Sequence, residues 1–424
     1  MYLTDRSAPR QADTEQGRRR GAGPKVAPVV LVLGTVSLIT DISSEMVTAV
    51  LPLYLVTTLG FTPLVFGTLD GVYNGVSALV QLTGGHLADR VRNHKLMAGL
   101  GYGLSALCKP LLLLTSSIGA LGTVLALDRT GKGLRTAPRD AMISLSTPSE
   151  RQGRAFGVHR AMDTTGAMLG PLAAFFILRA AADGYDAVFG VSACVAVLGV
   201  LVLVLFVPGR RQGAQQEEEA GVADARPPVR VREALGLLRL PRLRALAGCA
   251  GLLGLTTVSD AFVYLLLQRR AGIADEWFPL LPLGTAAVFL LLAVPVGALA
   301  DRIGRRTVFL TGHVGLLTGY ALLLWAPATP ALPFLVLALH GVFYAATDGV
   351  LPAALADIVP EQLRASGLAI VGTSQALARF CCSLAFGAAW TVWGDGPALA
   401  GSAVGLLCCA AVAAVVLRPT GGTR

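Results

Sequence analysis

The sequence predicts an all-α membrane protein with twelve transmembrane helices arranged as two pseudo-symmetric six-helix bundles. Its 424 residues are 54% hydrophobic and only 14% charged, and the mean hydropathy is +0.64. A chain of this composition needs a lipid solvent. Because one spanning helix takes about 20 apolar residues, twelve take roughly 240 and leave room for connections. Charged motifs also recur at about half the chain length, which indicates duplication of a six-helix unit.

The apolar runs are long and are separated by charged or Gly/Pro-rich connections. This is the pattern of spanning helices and not of the short alternating strands of a barrel. Residues 26–208 are predicted to form the N-terminal bundle and residues 243–418 the C-terminal bundle. The spans of the first bundle are predicted at 27–57, 62–88, 95–116, 118–145, 152–178 and 186–207. Those of the second are predicted at 243–268, 276–300, 305–326, 331–358, 362–391 and 396–417.

The Lys and Arg residues indicate on which side of the membrane each connection lies. The formal net charge is +9, but the basic residues form short clusters between apolar runs, without the separate basic domain expected of a nucleic-acid-binding protein. Most clusters fall on the side of the N-terminus, which the positive-inside rule places in the cytoplasm. We therefore expect an integral protein of the cell (plasma or inner) membrane. A disordered tail at 1–25, a linker at 209–242 and a tail at 419–424 are all predicted to be cytoplasmic.

A short charged motif follows the second predicted span and recurs after the eighth. Gly85-His-Leu-Ala-Asp89-Arg90 is matched by Gly297-Ala-Leu-Ala-Asp301-Arg302, 212 positions later. Two copies at matching places favour a functional role over an ordinary charged turn, because an Asp beside basic residues at a helix end can form an ion pair that holds one conformation. The predicted cytoplasmic latch comprises Gly85, Asp89, Arg90, Lys95, Gly297, Asp301, Arg302, Arg305 and Arg306.

Spans four and five carry two further patterns. In span four, the charged residues fall within roughly a 140° arc at ~100° per residue. They are Asp128, Arg129, Lys132, Arg135, Arg139 and Asp140. Charges in contact with lipid are costly, so we expect this face to look at an aqueous cavity or at partner carboxylates. In span five, Gly166, Gly170 and Pro171 would let the helix bend and pack tightly against a neighbour.

The G-x-L-A-D-R motif resembles the best-known signature of the major facilitator superfamily, and the resemblance covers nearly the whole chain. Arg129 and Gly133 fit the R-x-x-x-G motif that this family places in the fourth helix, where the Arg is tied to proton transfer in proton-coupled members. Gly166, Gly170 and Pro171 are similar to an element of its antiporter members, with alanine in place of the last glycine. The resemblance implies a secondary active transporter that works by alternating access.

Span one contains two carboxylates one turn apart, Asp41 and Glu45, in an otherwise apolar helix. Such a carboxylate can gain and lose a proton near neutral pH as its surroundings alternate between wet and dry. We expect Arg129 to be its counter-charge. The alternative is a buried salt bridge to Arg129 or Lys132 that leaves both acids ionised. The proton-coupling candidates are Asp41, Glu45, Arg129, Asp70 and Asp163.

Other polar residues within the spans could face a solute. The substrate-cavity candidates are Asn74, Lys132, Arg135, His159, Arg160, Asp260, Tyr264, Gln375 and Arg379. Arg160 and Asp163 stand at i and i+3, the spacing of a local ion pair. More of the intramembrane charge lies in the first half. We therefore expect proton coupling there and a more apolar substrate wall in the second half.

The sequence lacks the signatures of an enzyme or an ATP-driven pump. We find no G-x-x-x-x-G-K-[ST] phosphate loop and no H-E-x-x-H or G-x-S-x-G motif. The seven cysteines lack metal-ligand spacing, so we expect no metal and no cofactor. With the resemblance, this predicts a monomer that exports a small organic, anionic or metal-chelate solute in exchange for protons. Proton- or ion-coupled uptake of a metabolite or metal complex is the alternative, and a membrane sensor without transport is a further one.

Overall fold

The computed structural model describes residues 26–90, 93–148, 151–181, 184–208, 236–348, 350–356, 358–360 and 363–418, except for some helix side chains, among them those of 81–90 and 364–366. The predicted tails at 1–25 and 419–424 and most of the predicted linker at 209–242 lie outside these residues. Within the described ranges every regular element is helical, which confirms the predicted fold class.

Each of the six spans predicted for the first half coincides with one helix. These are α1 (Pro28–Leu53, continued by a π-helical turn, Tyr54–Thr58), α2 (Pro63–Arg90), α3 (His94–Leu113), α4 (Ile118–Leu145), α5 (Gln152–Ala180) and α6 (Gly184–Phe206). Local chemistry sets several of the starts. Proline at the first position of α1 and α2 has no N–H to leave unpaired. Asn93 caps α3 by accepting from the Leu96 N–H at 3.1 Å.

The second half differs from the sequence prediction because its seventh predicted span is divided into two helices. Its helices are α7 (Pro241–Gly254), α8 (Asp260–Ala271), α9 (Leu280–Ile303), α10 (Arg305–Trp325), α11 (Leu332–Thr347), α12 (Val350–Ala356), α13 (Arg364–Trp393) and α14 (Asp395–Val416). The predicted seventh span corresponds to α7 and α8, which residues 255–259 separate, so the structure does not have one continuous helix there. The predicted tenth span corresponds to α11 and α12, and residue 349 between them lies outside the described residues.

The break between α7 and α8 is stabilised by side chains of other helices. The Val258 N–H donates to the Tyr320 hydroxyl at 2.8 Å, and the Cys382 thiol donates to the Thr257 carbonyl at 3.3 Å. Irregular backbone at membrane depth is tolerated only where such partners or a cavity satisfy its polar groups. The break is therefore specified by tertiary contacts.

Eight helices in the described ranges are long and apolar enough to cross a membrane by length and composition alone. The helices α2 and α4 have 28 residues each, which at ~1.5 Å per residue is roughly 42 Å, but they are more polar. The pairs α7 with α8 and α11 with α12 occupy the remaining positions. The chain is thus an all-helical membrane protein, and the total of twelve spans stays a prediction.

Glycines bring neighbouring helices of the first half into backbone contact. A Cβ at Gly170 would lie 2.8 Å from the Ile42 carbonyl oxygen of α1, and one at Gly166 would collide with the Leu38 carbonyl. Gly101 of α3 and Gly131 of α4 face each other in the same way, at 2.7 Å. Small residues are what permit such close helix packing in a membrane. The span-five element thus positions α5 against α1.

The two halves meet along α2 and α13, at the end of the bundle that holds the α1–α2 connection, residues 59–62. We call this the distal end. A Cβ at Gly67 would collide with the Ser383 carbonyl, and one at Gly387 with the Pro63 carbonyl. The Leu64 N–H donates to Thr391 Oγ1 at 3.0 Å. These described contacts close the halves on each other at the distal end.

Candidate functional site

A central cavity of about 400 Å³ lies between the two halves. Helices α1, α2 and α5 of the first half and α8, α9 and α11 of the second contribute to its wall. Its side chains combine carboxylates, hydroxyls and aromatic rings. The wall residues that matter below are Glu45, Thr48, Asp70, Tyr73, Asn74, Pro171, Ser259, Asp260, Tyr264, Phe278, Thr285, Phe289, Tyr344 and Asp348.

The cavity wall is acidic. Glu45, Asp70, Asp260 and Asp348 all line it, and the described wall contains no Lys, Arg or His. Two of these four carboxylates come from the second half, which is therefore less apolar than the sequence suggested. The central cavity is an acidic, partly aromatic chamber.

Asp70 joins the two halves. Ser383 Oγ of α13 donates to Asp70 Oδ2 at 2.6 Å, and Asn74 Nδ2 donates to Asp70 Oδ1 at 3.3 Å. Within the described part of the chain, Asp70 has no Lys, Arg or His partner. Its carboxyl group is thus held by neutral groups, without a cation beside it among the described residues.

Asp260 begins α8, directly after the helix break, and is held by α11. His340 Nε2 lies 2.9 Å from Asp260 Oδ1, and the Tyr344 hydroxyl lies 2.7 Å from both carboxylate oxygens. The Tyr264 hydroxyl donates to Thr285 Oγ1 of α9 at 3.0 Å. The sequence analysis missed His340 and Tyr344. A His and a Tyr one turn apart in an apolar helix were the signal that could have found them.

The charged face of α4 pairs with α1 in an antiparallel register. Arg135 Nη2 lies 3.0 Å from Asp41 Oδ1, and Lys132 Nζ lies 3.6 Å from Glu45 Oε1. Arg139 reaches Ser37 of α1 at 3.3 Å. Residue numbers rise along α1 toward the distal end, whereas those of their partners on α4 fall, as is required of two antiparallel helices.

Arg129 lies against Asp128 instead of the span-one acids that we expected it to face. Its Nη2 is 2.7 Å from Asp128 Oδ2, and Lys109 Nζ is 2.9 Å from Asp128 Oδ1. The Arg129 guanidinium also stacks on the Tyr73 ring, 4.0 Å from its centroid. All three charges of this triad are buried. The antiparallel register explains the difference, since Arg129 is one turn nearer the distal end than Lys132.

The other charged candidates of the first half lie away from the cavity wall. Asp163 is shared by Arg139 at 3.6 Å and Arg160 at 3.7 Å, so the spacing of Arg160 and Asp163 does give a local pair. The Arg160 side chain is 79% exposed. His159 is buried, and its Nε2 lies 3.0 Å from Ser37 Oγ. Every cation of the α4 charged face therefore has a carboxylate partner.

Gln375 and Arg379 line a second cavity, of about 180 Å³, within the second half. His313, Thr347 and Asp348 also line it, so Asp348 belongs to both cavities. Of the predicted substrate-cavity residues, the structure thus brings Asn74, Asp260 and Tyr264 to the central cavity. Lys132, Arg135, His159 and Arg160 are outside its described wall.

The second copy of the predicted latch makes contacts within its own half. Asp301 lies 3.6 Å from Arg305, Arg306 donates to the Ala414 carbonyl, and Arg302 is exposed. A Cβ at Gly297 would meet no atom within 4 Å, so this glycine is not needed for close packing here.

Of the first copy, the structure describes the side chain of Lys95. Its Nζ donates to the carbonyls of Val204 at 2.9 Å and Val207 at 2.5 Å, at the end of α6. A cation there satisfies free carbonyls of the helix terminus. The side chains of Gly85, Asp89 and Arg90 lie outside the described residues.

The family model described as Major Facilitator Superfamily matches residues 33–291 and 280–423, and the chain belongs to this family. It is 30% identical over 389 residues to an uncharacterized MFS-type transporter of Methanocaldococcus jannaschii, with 89% of this chain and 92% of the relative covered. The protein is therefore an integral membrane protein of a secondary-transporter family.

Solved structures share this fold. The nucleoside transporter NupG superposes with a TM-score of 0.77 at 13% identity, covering 93% of this chain and 100% of NupG. A bacterial homologue of the lysosomal transporter Spinster, in an inward-facing and occupied conformation, gives a TM-score of 0.70 at 14% identity and covers 93% and 98% of the two chains. At these identities the likeness concerns the fold alone.

Proposed function

We propose that this protein is an alternating-access transporter that couples proton movement to the export of a small organic solute across the cell membrane. The observation that carries the proposal is the acidic cavity between the two halves, closed at the distal end by the described α2–α13 contacts. A cavity at the interface of two repeats is where secondary transporters bind their solutes. Rocking of the halves would expose it to each side in turn.

Glu45 is the proton-coupling residue that the geometry favours. Asp41 is almost fully buried against Arg135, whereas Glu45 lines the central cavity and its side chain is 25% exposed. The 3.6 Å separation of Glu45 from Lys132 is also longer than the 3.0 Å between Asp41 and Arg135. Protonation of Glu45 would release Lys132, so the charge state of the cavity could alternate during transport.

The direction of transport rests on the antiporter-like element of span five, Gly166, Gly170 and Pro171. Pro171 lines the cavity, and the two glycines seat α5 on the part of α1 that carries Glu45. A change in α5 would thus move the coupling acid. Proton-coupled uptake of a metabolite or metal complex remains the alternative, and inside-out vesicles distinguish the two by the sign of the gradient that drives accumulation.

The test uses purified protein in liposomes that enclose a pH-sensitive dye, with a panel of dyes, amines and organic acids added under an imposed pH gradient. We expect wild-type protein to couple the movement of at least one solute to proton flux. Glu45→Gln should lose gradient-driven accumulation and keep downhill exchange of that solute. Glu276→Gln, which changes an acid in the 275–277 turn outside the cavity wall, is the matched control.

Two results would contradict the proposal. If no solute moves in either direction, the protein is a sensor and not a carrier. If Asp41→Asn and Glu45→Gln, singly and together, still concentrate solute with the wild-type dependence on the pH gradient, these acids are structural. Coupling would then lie at Asp70 or Asp163.

A further inference from the structure

We propose that the central cavity binds an organic cation, with Asp70 as the carboxylate that pairs with the cationic centre. This inference rests on the proposed function, because it takes the central cavity to be the transport site. It is narrower than the sequence prediction, which left anions and metal chelates open on the strength of the basic face of α4.

The basic face of α4 is neutralised within the first half. Lys132 pairs with Glu45, Arg135 with Asp41, and Arg139 with Asp140 at 3.0 Å and with Asp163. Arg129 shares Asp128 with Lys109 and also covers the Tyr73 ring. An anionic solute would have to break these pairs to gain a cation, and those of Arg129 and Arg135 are buried, which makes breaking them strongly unfavourable.

In the described part of the chain, the carboxylates of the cavity have fewer oppositely charged partners than the cations of α4. Glu45 has Lys132, and Asp260 has the His340 imidazole. Arg379 lines the second cavity, together with Asp348. Among the described residues, the hydrogen-bond partners of Asp70 are Ser383, Asn74 and Ser259, which are all neutral. An ionised carboxylate in a low-dielectric chamber is costly unless a cation pairs with it, and a solute cation would supply that partner.

Aromatic rings line the same chamber. Phe289 and Tyr344 are only partly buried and lie in the wall with Asp260 and Asp348. A cation within about 6 Å of an aromatic ring centroid is stabilised by the ring quadrupole, more strongly where water is excluded. A chamber that combines separate carboxylates with aromatic rings therefore suits an amine or onium group on an apolar body.

The same arrangement argues against a metal ion as the cation. Divalent metals need several oxygen or nitrogen ligands converging within about 2–2.6 Å of one point. Among the described residues no group of three or more His, Cys, Asp or Glu side chains is placed to hold a metal ion. The four carboxylates of the cavity are spread over α1, α2, α8 and the end of α11.

Equilibrium binding to detergent-purified full-length protein tests the inference without any gradient. Two probes of nearly equal size and opposite charge, tetraphenylphosphonium and tetraphenylborate, are compared by equilibrium dialysis. We expect the phosphonium to bind at least about tenfold more tightly than the borate. Asp70→Asn should reduce phosphonium affinity by at least about tenfold, whereas Asp70→Glu, which keeps the charge, should retain most of it.

Asp275→Asn, at the exposed 275–277 turn, is the matched control and should bind like wild type. The thermal unfolding midpoint of each variant, compared with that of wild type, shows whether a lower affinity comes from misfolding. Equal or tighter binding of the borate, no binding of the phosphonium, or unchanged phosphonium affinity in folded Asp70→Asn would each overturn the inference. These outcomes are independent of the flux test, because a cation could bind here without proton coupling, and proton-coupled transport could carry another solute.

Discussion

The α2–α13 contact at Gly67 should control whether the distal end of the transporter is closed. In Gly67→Ala the added methyl would collide with the Ser383 carbonyl oxygen and lie 3.2 Å from the Phe262 ring edge. Overpacking of this kind costs typically 1–3 kcal/mol. The cost falls only on the closed conformation, whereas the better helix propensity of alanine applies to both conformations and cancels. The equilibrium should therefore shift toward distal opening by roughly five- to 150-fold.

Double electron–electron resonance, which measures the distance between two spin labels, would report this shift for labels at Leu59 and Val392. The labels are attached to cysteines introduced at these two positions, in a variant whose seven native cysteines are replaced. One label then lies on each half, at the distal end. We expect Gly67→Ala to increase the population with a long distance. Gly119→Ala, at the distal start of α4, is the matched control because its added methyl meets no atom within 4 Å. If the two variants give the same distance distribution, the reasoning is refuted.

Three further predictions follow from the charged residues and the topology. Asp128→Asn leaves Lys109 and Arg129 buried without their carboxylate, so we expect a loss of about 3–5 kcal/mol of stability and a clearly lower thermal midpoint in detergent; an unchanged midpoint would show that the triad is not structural. Asp89→Asn should slow turnover without reducing membrane insertion if the predicted latch operates, and normal transport rates at normal expression would argue against it. Gln215→Cys, in the predicted linker outside the described residues, should react with an impermeant thiol reagent only from the cytoplasmic side, and labelling from outside intact cells would reverse the topology.

The positions of the first six helices could be predicted from the sequence because each is one apolar run bounded by strong local signals. Proline opens α1 and α2, and Asn93 caps α3. The break between α7 and α8 has no comparable local signal. It depends on Tyr320 and Cys382, which lie far away in sequence and reach it only in the folded protein. Sequence periodicity cannot reveal a break that distant side chains stabilise.

The candidate site was predicted as a set of residue types but not as a set of partners. Helical spacing correctly placed the α4 charges on one face of the helix. The spacing within one helix does not, however, determine its register against a neighbouring helix. Asp41 therefore pairs with Arg135 and not with Arg129. Asp70 and Asp260 were named as candidates, whereas the acidic cavity that contains both arises only when α2 and α8 are brought together.

The break between α7 and α8 also contributes to the walls of both cavities described above. Thr257 lines the cavity of about 180 Å³, and Ser259, two residues later, lines the cavity of about 400 Å³. Val258 lies between these two residues in the chain, and its N–H donates to the Tyr320 hydroxyl. Asp348 lines both cavities as well, so a rotation of this segment would change the walls of both at once. One hydrogen bond between two helices therefore holds a backbone segment that shapes both chambers.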